Sequence, residues 1–402
     1  MRISSGGLPP QPPGPRCPAP QAQPGLTLIE FDFDRLSRSP DVEAPNLQAY
    51  DATDRLLLDS AARRLAAQPA GVVLLGDRYG ALTLGAALLH AVPRPRVYQD
   101  PLSHELALAR NAAAVDASDR YERHGLGPEL LRDARTVLLQ LPRSLDALEE
   151  AAWNIATHAD PSVTVYAGGR LKHMSLAMTA VLQKYFGSVT AGLARQKSRV
   201  LTASGPLPVG ESAFPVTQRH DVGLPHPLVL RAFGETFGGA ALDPGTRFLL
   251  PHLASAAAAD SAIDLGCGNG AIAAYLALTG PGLRVIASDQ SASAVASTRE
   301  TARANAVGDR VDVVRDDALS SQPAGSAGLI VLNPPFHIGA TVHAGIAVKL
   351  FTDAARVLAP GGELWTVWNS HLAYRPALSR IVGPTRQIDR NQRFTITCSV
   401  RR

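Results

Sequence analysis

The sequence predicts an α/β protein built of two tandem domains, each a doubly wound sheet, and three observations predict it. The chain has 402 residues, room for two domains at ~100–200 residues each. Apolar β-type runs alternate with alanine- and leucine-rich helical stretches, the pattern of sheets covered on both faces. The two halves also resemble each other. VVLLGDRYGALTLGAAL from Val72 aligns with AIDLGCGNGAIAAYLAL from Ala262, RVYQD ending at Asp100 with VIASD ending at Asp289, and TVLLQLPR around Gln140 with LIVLNPPF around Asn333. All three matches fall at an offset of about 190 residues, so the chain reads as two copies of one βαβ-type nucleotide-binding unit.

Composition excludes several classes. No run of ~18 apolar residues is present, and the first residues, MRISSGGLPPQPPGPR, lack the apolar core of a signal peptide. Membrane insertion and secretion are not expected, and the cytoplasm is the expected compartment. Cys17, Cys267 and Cys398 lie far apart with no Cys-x-x-Cys pair, so neither a disulfide framework nor a metal site is expected. A monomer is expected.

In chain order, residues 1–25 form a Pro-rich tail with too few core-forming residues to offset the entropy of ordering. Residues 26–205 form the first domain, 206–225 a linker in a stretch rich in Pro and Gly, and 226–402 the second domain. The first copy departs from the second where chemistry would forbid it: Leu74 stands for Asp264, Arg78 for Gly268, Gln140 for Asn333, and Leu141-Pro142 for Pro334-Pro335. An arginine in place of a glycine that lets a ligand approach the backbone predicts a scaffold first and a catalytic domain second.

In the second copy a buried strand ends in a tight loop and a helix opens at about Ala271. Gly266, Gly268 and Gly270 permit positive φ and close ligand approach, with Cys267 and Asn269 between them. A dinucleotide-binding loop has similar glycine spacing. Asp264, before the loop, suits a ligand ammonium better than a pyrophosphate. Asp289 ends the next strand, positioned for both hydroxyls of a ribose. Asp316 and Asp317 end the third, where a carboxylate can accept an adenine amino group, with Asp317 the better placed. Helix capping is the plain alternative for each acid. Together they describe S-adenosylmethionine.

The fourth strand runs into Asn333-Pro334-Pro335-Phe336. Methylating a planar exocyclic amine requires two fixed acceptors for its hydrogens, because the nitrogen lone pair is delocalised into the ring. The Asn333 side-chain oxygen and the Pro334 carbonyl can supply them, the prolines fixing φ, and Phe336 offers a face for a base. Orientation then carries the reaction, with no nucleophilic triad. His337 is a candidate substrate contact, packing or capping being the alternative. Trp365 and Trp368 read as core. A helix AGIAVKLFTDAARVL, a strand ELWTVWN, a helix near Tyr374–Val382 and a strand RFTITCSV complete the domain.

Charge is mild, 39 basic against 35 acidic residues, but Pro161–Gly210 holds no acid while Arg170, Lys172, Lys184, Arg195, Lys197 and Arg199 are present. A basic face for nucleic acid is expected there, a solvated helix surface being the alternative.

The motifs LDPGTRFLLPHL, DLGCGNG, LNPPFH and LAPGGELW, with the basic stretch from Gly169 to Val200, resemble bacterial ribosomal RNA guanine-N2 methyltransferases over residues 27–402. These are class I S-adenosylmethionine-dependent methyltransferases of Rossmann-like fold that pair a degenerate N-terminal copy with an active C-terminal one. The resemblance implies cofactor binding by Asp264, Gly266, Gly268, Asp289 and Asp317, and a guanine held by Asn333, Pro334 and Phe336. Ribosomal RNA or a ribosomal subunit is the implied partner. The alternatives are the same chemistry on adenine N6 or a protein glutamine, a non-catalytic RNA-binding assembly protein, and a dehydrogenase using NAD.

Overall fold

A computed structural model describes residues 31–402 apart from 45, 257–259 and 336–339, and the side chains of 340–344. The expected Pro-rich tail, Cys17, Phe336 and His337 lie outside the described residues. The first half contains strands β1 (Val72–Leu75), β2 (Arg96–Tyr98), β3 (Glu122–Arg123), β4 (Thr136–Gln140), β5 (Thr164–Arg170), β6 (Phe186–Ala191) and β7 (Ser198–Pro206). They form one sheet in the order β3-β2-β1-β4-β5-β7-β6. Strands β8 (Val216–His220) and β9 (Leu228–Ala232) form a separate antiparallel pair. The second half contains β10 (Ser261–Leu265), β11 (Arg284–Asp289), β12 (Val311–Arg315), β13 (Ala327–Leu332), β14 (Leu358–Asn369), β15 (Thr385–Arg390) and β16 (Phe394–Val400), ordered β12-β11-β10-β13-β14-β16-β15.

The two sheets therefore have one topology: six strands run parallel, and a single antiparallel one, β7 or β16, lies between the last two. Each central strand is buried on both sides, which is why it reads as a continuous apolar run. In β1, Leu74 packs into one face of the sheet's core while Val73 and Leu75 pack into the other. In the second sheet Ala262 and Ile263 divide in the same way. Trp365 and Trp368 are fully buried, as expected.

Pairing register refines the alignment of the halves. Leu75 pairs Tyr98 and Leu139, and Leu265 pairs Ser288 and Leu332. The residue equivalent to Asp289 is consequently Gln99, not Asp100. The sequence match on the shared aspartate is one residue out of step because identity of side chains prevailed over hydrogen-bond register. The segment 206–225 also contains a strand, β8, whose partner β9 lies against the helix Ala292–Ala304 through Asn305, Thr301 and Ser297. APGG, read as a helix stop before a strand, lies within β14, at a register shift against β13.

The halves meet where the loop after β2 touches the loop after β11. Leu102 N donates to Gln290 O at 2.9 Å and Ala292 N to Asp100 O at 3.0 Å, forming an antiparallel bridge between Pro101 and Ser291. Asp100 also accepts from Ser293 N at 2.8 Å, and Arg315 pairs with Glu105 at 2.8 Å.

Candidate active site

The carboxyl ends of β10, β11, β12 and β13 enclose a cavity of about 380 Å³, whose lining includes Gly266, Asp289, Asp317, Asn333, Pro334 and Lys349. This is where an open parallel sheet presents its ligand site. The first half closes one side with Pro40, Asp41, Val42, Pro101 and Ser103.

The loop Gly266–Gly270 shows two uses of glycine. Gly268 has φ +55° and open space where a Cβ would stand, and its N–H donates to Asp289 at 3.0 Å. Gly270 has φ +79° and a Cβ there would stand 2.9 Å from Thr298 Cγ2, so it serves packing. Helix Ala271–Thr279 follows, as the sequence predicted.

Asp289 holds one oxygen against Gly268 N and the other against Ser291 N at 2.9 Å. Burial raises its pKa. Asp264 stands differently from expectation. It is wholly buried beneath the loop, outside the described cavity lining, and accepts from Ala273 N at 2.9 Å in the first turn of the helix. Its other oxygen has no partner among the described residues, and burial pushes its pKa up to about 7. Strand alternation aims this side chain under the helix N-terminus rather than across the loop.

Asn269 donates to the carbonyls of Gly239 and Ala241 at 2.9 and 3.0 Å, tying the loop to the segment before Asp243. Cys267 is buried, accepts from Thr298 Oγ1 and has its pKa raised well above the usual thiol range by burial, so it packs rather than reacts. Asp316 is enclosed by Ser320 and Ser321. Asp317 faces the cavity and is gripped through both oxygens by Lys349 Nζ at 2.6 Å.

At the end of β13, Asn333 Nδ2 donates to Asp243 Oδ1 and Thr246 Oγ1, both at 2.9 Å. A carboxylate only accepts, so this pairing fixes which end of the amide is nitrogen. Asn333 Oδ1 is buried with no partner among the described residues, on the residue that lines the cavity. Asp243 in turn caps the helix Pro244–Leu249 by accepting from Gly245 N and Thr246 N. Asp243, Thr246 and Lys349 were not singled out from sequence; the only signal was Asp243 and Thr246 standing in the LDPGT motif.

Of the six basic candidates, Lys184 pairs with Glu149 at 2.9 Å and Arg195 with Asp59 at 3.3 Å. An acid-free sequence stretch is not an acid-free surface, since both acids come from other helices. Lys172 and Lys197 are exposed, and Arg170 and Arg199 half-buried.

Residues 27–206 match the family model of the RLMG N-terminal domain, and residues 229–398 that of the methyltransferase small domain. The ribosomal RNA large subunit methyltransferase G of Pseudomonas aeruginosa (strain UCBPP-PA14) is 36% identical over 375 residues, covering 90% of this chain and 96% of that one. Its namesake from Streptomyces avermitilis is 34% identical over 382 residues, covering 91% and 97%. The chain belongs to the ribosomal RNA large subunit methyltransferase G family. Like others of this family it is an S-adenosylmethionine-dependent methyltransferase, which sets aside the dehydrogenase and non-catalytic readings. The family's tandem fold is shared by a solved T. thermophilus 16S rRNA N2 G1207 methyltransferase (RsmC) in complex with AdoMet and guanosine. That structure has a TM-score of 0.67 at 20% identity and covers 92% of this chain and 99% of that one. No helix among the described residues is long and apolar enough to cross a membrane.

Proposed function

We propose that the protein transfers a methyl group to the exocyclic N2 of a guanine in ribosomal RNA, with residues 226–402 catalytic and residues 26–205 a degenerate copy that holds RNA. The observation that carries this reading is the buried, unpartnered Asn333 Oδ1 on an amide whose nitrogen is already committed. An acceptor left unsatisfied in a buried site is costly unless a ligand donor completes it. The relatives named for the large ribosomal subunit favour RNA of that subunit, and the cytoplasm is where such RNA is met.

The cavity suits S-adenosylmethionine, whose sulfonium supplies an electrophilic methyl group when bound. Gly266 and Gly268 leave open space for close approach. Asp289 uses two lone pairs on backbone N–H groups, and a carboxylate has about four, so acceptors remain for two ribose hydroxyls. Asp317, steadied by Lys349, stands ready for the adenine amino group, while Asp316 braces the turn behind it. Cys267 and Asn269 line the cavity beside these glycines, while Asp264 and Gly270 support the loop from behind it.

Asn333 Oδ1 and the Pro334 carbonyl accept the two N2 hydrogens and pull them from the ring plane, so the lone pair points along the line of displacement. Phe336 is assigned the base-stacking face and His337 a flanking contact. S-adenosylmethionine bound there would supply the methyl group to N2 as its sulfur–methyl bond gave way, and the N2 proton would pass to solvent. Barrier lowering comes from orientation.

The test uses radiolabelled cofactor with ribosomal RNA from a strain lacking the enzyme. Labelled N2-methylguanosine is expected, and its loss in Asn333→Ala with cofactor affinity retained. Label in N6-methyladenosine or in a glutamine-bearing protein substrate instead would overturn the assignment.

A further inference from the structure

We infer that the carboxyl edge of the first sheet, the place equivalent to the cofactor site of the second, is a phosphate-gripping surface for RNA formed by Arg78, Arg143, Arg170 and Lys172. This rests on the RNA reading above and moves its footing from the acid-free stretch to an edge of the fold.

Topology gathers these residues. Strands β1, β4 and β5 are adjacent and parallel, and Arg78, Arg143 and Lys172 follow their carboxyl ends, with Arg170 the last residue of β5. At ~4.8 Å per strand the three ends span about 10 Å. Leu171 N donates to Lys197 O at 2.9 Å, which brings a further lysine to the margin. Arg78, Arg143 and Lys172 are exposed, and none of the four has an ion-pair partner among the described residues, unlike Lys184 and Arg195. Desolvation, then the fields of Arg143, Lys172, Arg78 and Arg170, lower the pKa of His173, in keeping with the clustering that the strand order gives.

The same edge is closed to a cofactor. Gly76 and Gly80 keep positive φ, at +74° and +99°, as Gly266 and Gly270 do, but Arg78 lacks the positive φ of Gly268. Asp77 accepts from Gly80 N and Thr83 N, and Gln99 Nε2 donates to Asp77 O at 2.6 Å and His104 O at 3.1 Å. The Gln99 amide nitrogen is committed to the loop, and the Arg78 side chain is exposed. Exposed guanidinium forks suit phosphate oxygens and position a nucleic acid without reading its bases.

The edge adjoins the catalytic cavity. Tyr79, next to Arg78, donates its hydroxyl to Asp41 at 2.6 Å, and Asp41 lines that cavity. One RNA can rest on the cations and reach the cavity.

The experiment measures equilibrium binding of unmodified large-subunit ribosomal RNA across a salt series, without turnover, for the full-length protein and the triple variant Arg78→Ala, Arg143→Ala, Lys172→Ala. Affinity is expected to fall at least tenfold at fixed salt, and the slope of log K against log salt to flatten by about two, the loss of three phosphate contacts. The triple Arg78→Lys, Arg143→Lys, Lys172→Arg variant should keep the slope, and Lys184→Ala with Arg195→Ala should change affinity less than about twofold. An unchanged slope in the alanine variant overturns the surface. So does weakened binding to polyglutamate with RNA binding intact, which would assign it to an acidic protein. Binding that follows this pattern while the enzyme labels no guanine sinks the functional reading alone.

Discussion

Two loops with the same backbone frame, Gly76–Gly80 and Gly266–Gly270, lead to opposite outcomes. In the first, Asp77 and Gln99 satisfy the loop from within, and an arginine stands on the glycine that would admit a ligand. In the second, Gly268 faces open space and Asp289 is anchored with acceptors to spare. The fourth strand repeats the contrast. Gln140, equivalent to Asn333, donates to buried Asp54, whereas Asn333 gives its nitrogen to Asp243 and Thr246 and keeps its oxygen free. A fold tolerates either arrangement, and the two amides differ in which of their atoms the protein itself commits.

The sharpest way to break this comparison is to truncate both amides. Asn333→Ala should lower the methyl-transfer rate by at least about 10²-fold. Gln140→Ala should leave turnover per folded molecule intact and reduce stability by ~1–3 kcal/mol through the unpaired Asp54, read by denaturant unfolding. Next in size is Asp243→Ala, which frees the Asn333 amide to turn. A kcat loss of about tenfold or more with little change in the KM for RNA is expected, and ~1 kcal/mol of stability from the lost cap. A purely structural Asp243 would show the stability loss alone.

The glycines give smaller effects. Gly268→Ala should weaken cofactor binding by about tenfold in calorimetry at a strain cost of ~1 kcal/mol. Gly270→Ala and its equivalent Gly80→Ala should act on stability, because their Cβ atoms would meet Thr298 Cγ2 at 2.9 Å and Leu108 Cδ1 at 2.8 Å. Calorimetry should also return one cofactor per chain; two would erase the distinction between the copies.

A further effect concerns pH. The folded pKa of Asp264, about 7, is raised above the usual carboxyl value, so the folded state binds the extra proton. Its contribution to stability is full below pH 4 and is lost as pH rises toward 7. Asp264→Asn should lack this decline, measured as the difference between the two unfolding profiles.

Much of this was legible from sequence: the repeat, the strand ends and Asn333 all announce themselves through local runs of residue types. The rest depends on contacts between distant segments. Asp243 and Thr246 reach Asn333 across about 90 residues, and Lys349 reaches Asp317 across 32. Gln99 displaces Asp100 as the equivalent of Asp289 because strand register, not residue identity, sets equivalence. Asp264 sits behind the loop with one oxygen on Ala273 N, a contact that the strand run alone does not reveal. The strands at 216–220 and 385–390 escaped notice because both are polar edge strands without an apolar run.

The bridge between Pro101 and Ser291 joins corresponding turns of the two copies. Leu102 donates to Gln290 while Ala292 donates to Asp100, and each of these residues is the counterpart of one in the other pair at a separation of 190. A surface that touches its own copy reciprocally is what a two-fold axis produces. The two copies thus meet here by a reciprocal contact, as the halves of a symmetric dimer would. In such a dimer each turn beside one site would wall the neighbouring one, as Pro101 now walls the cavity of the second half.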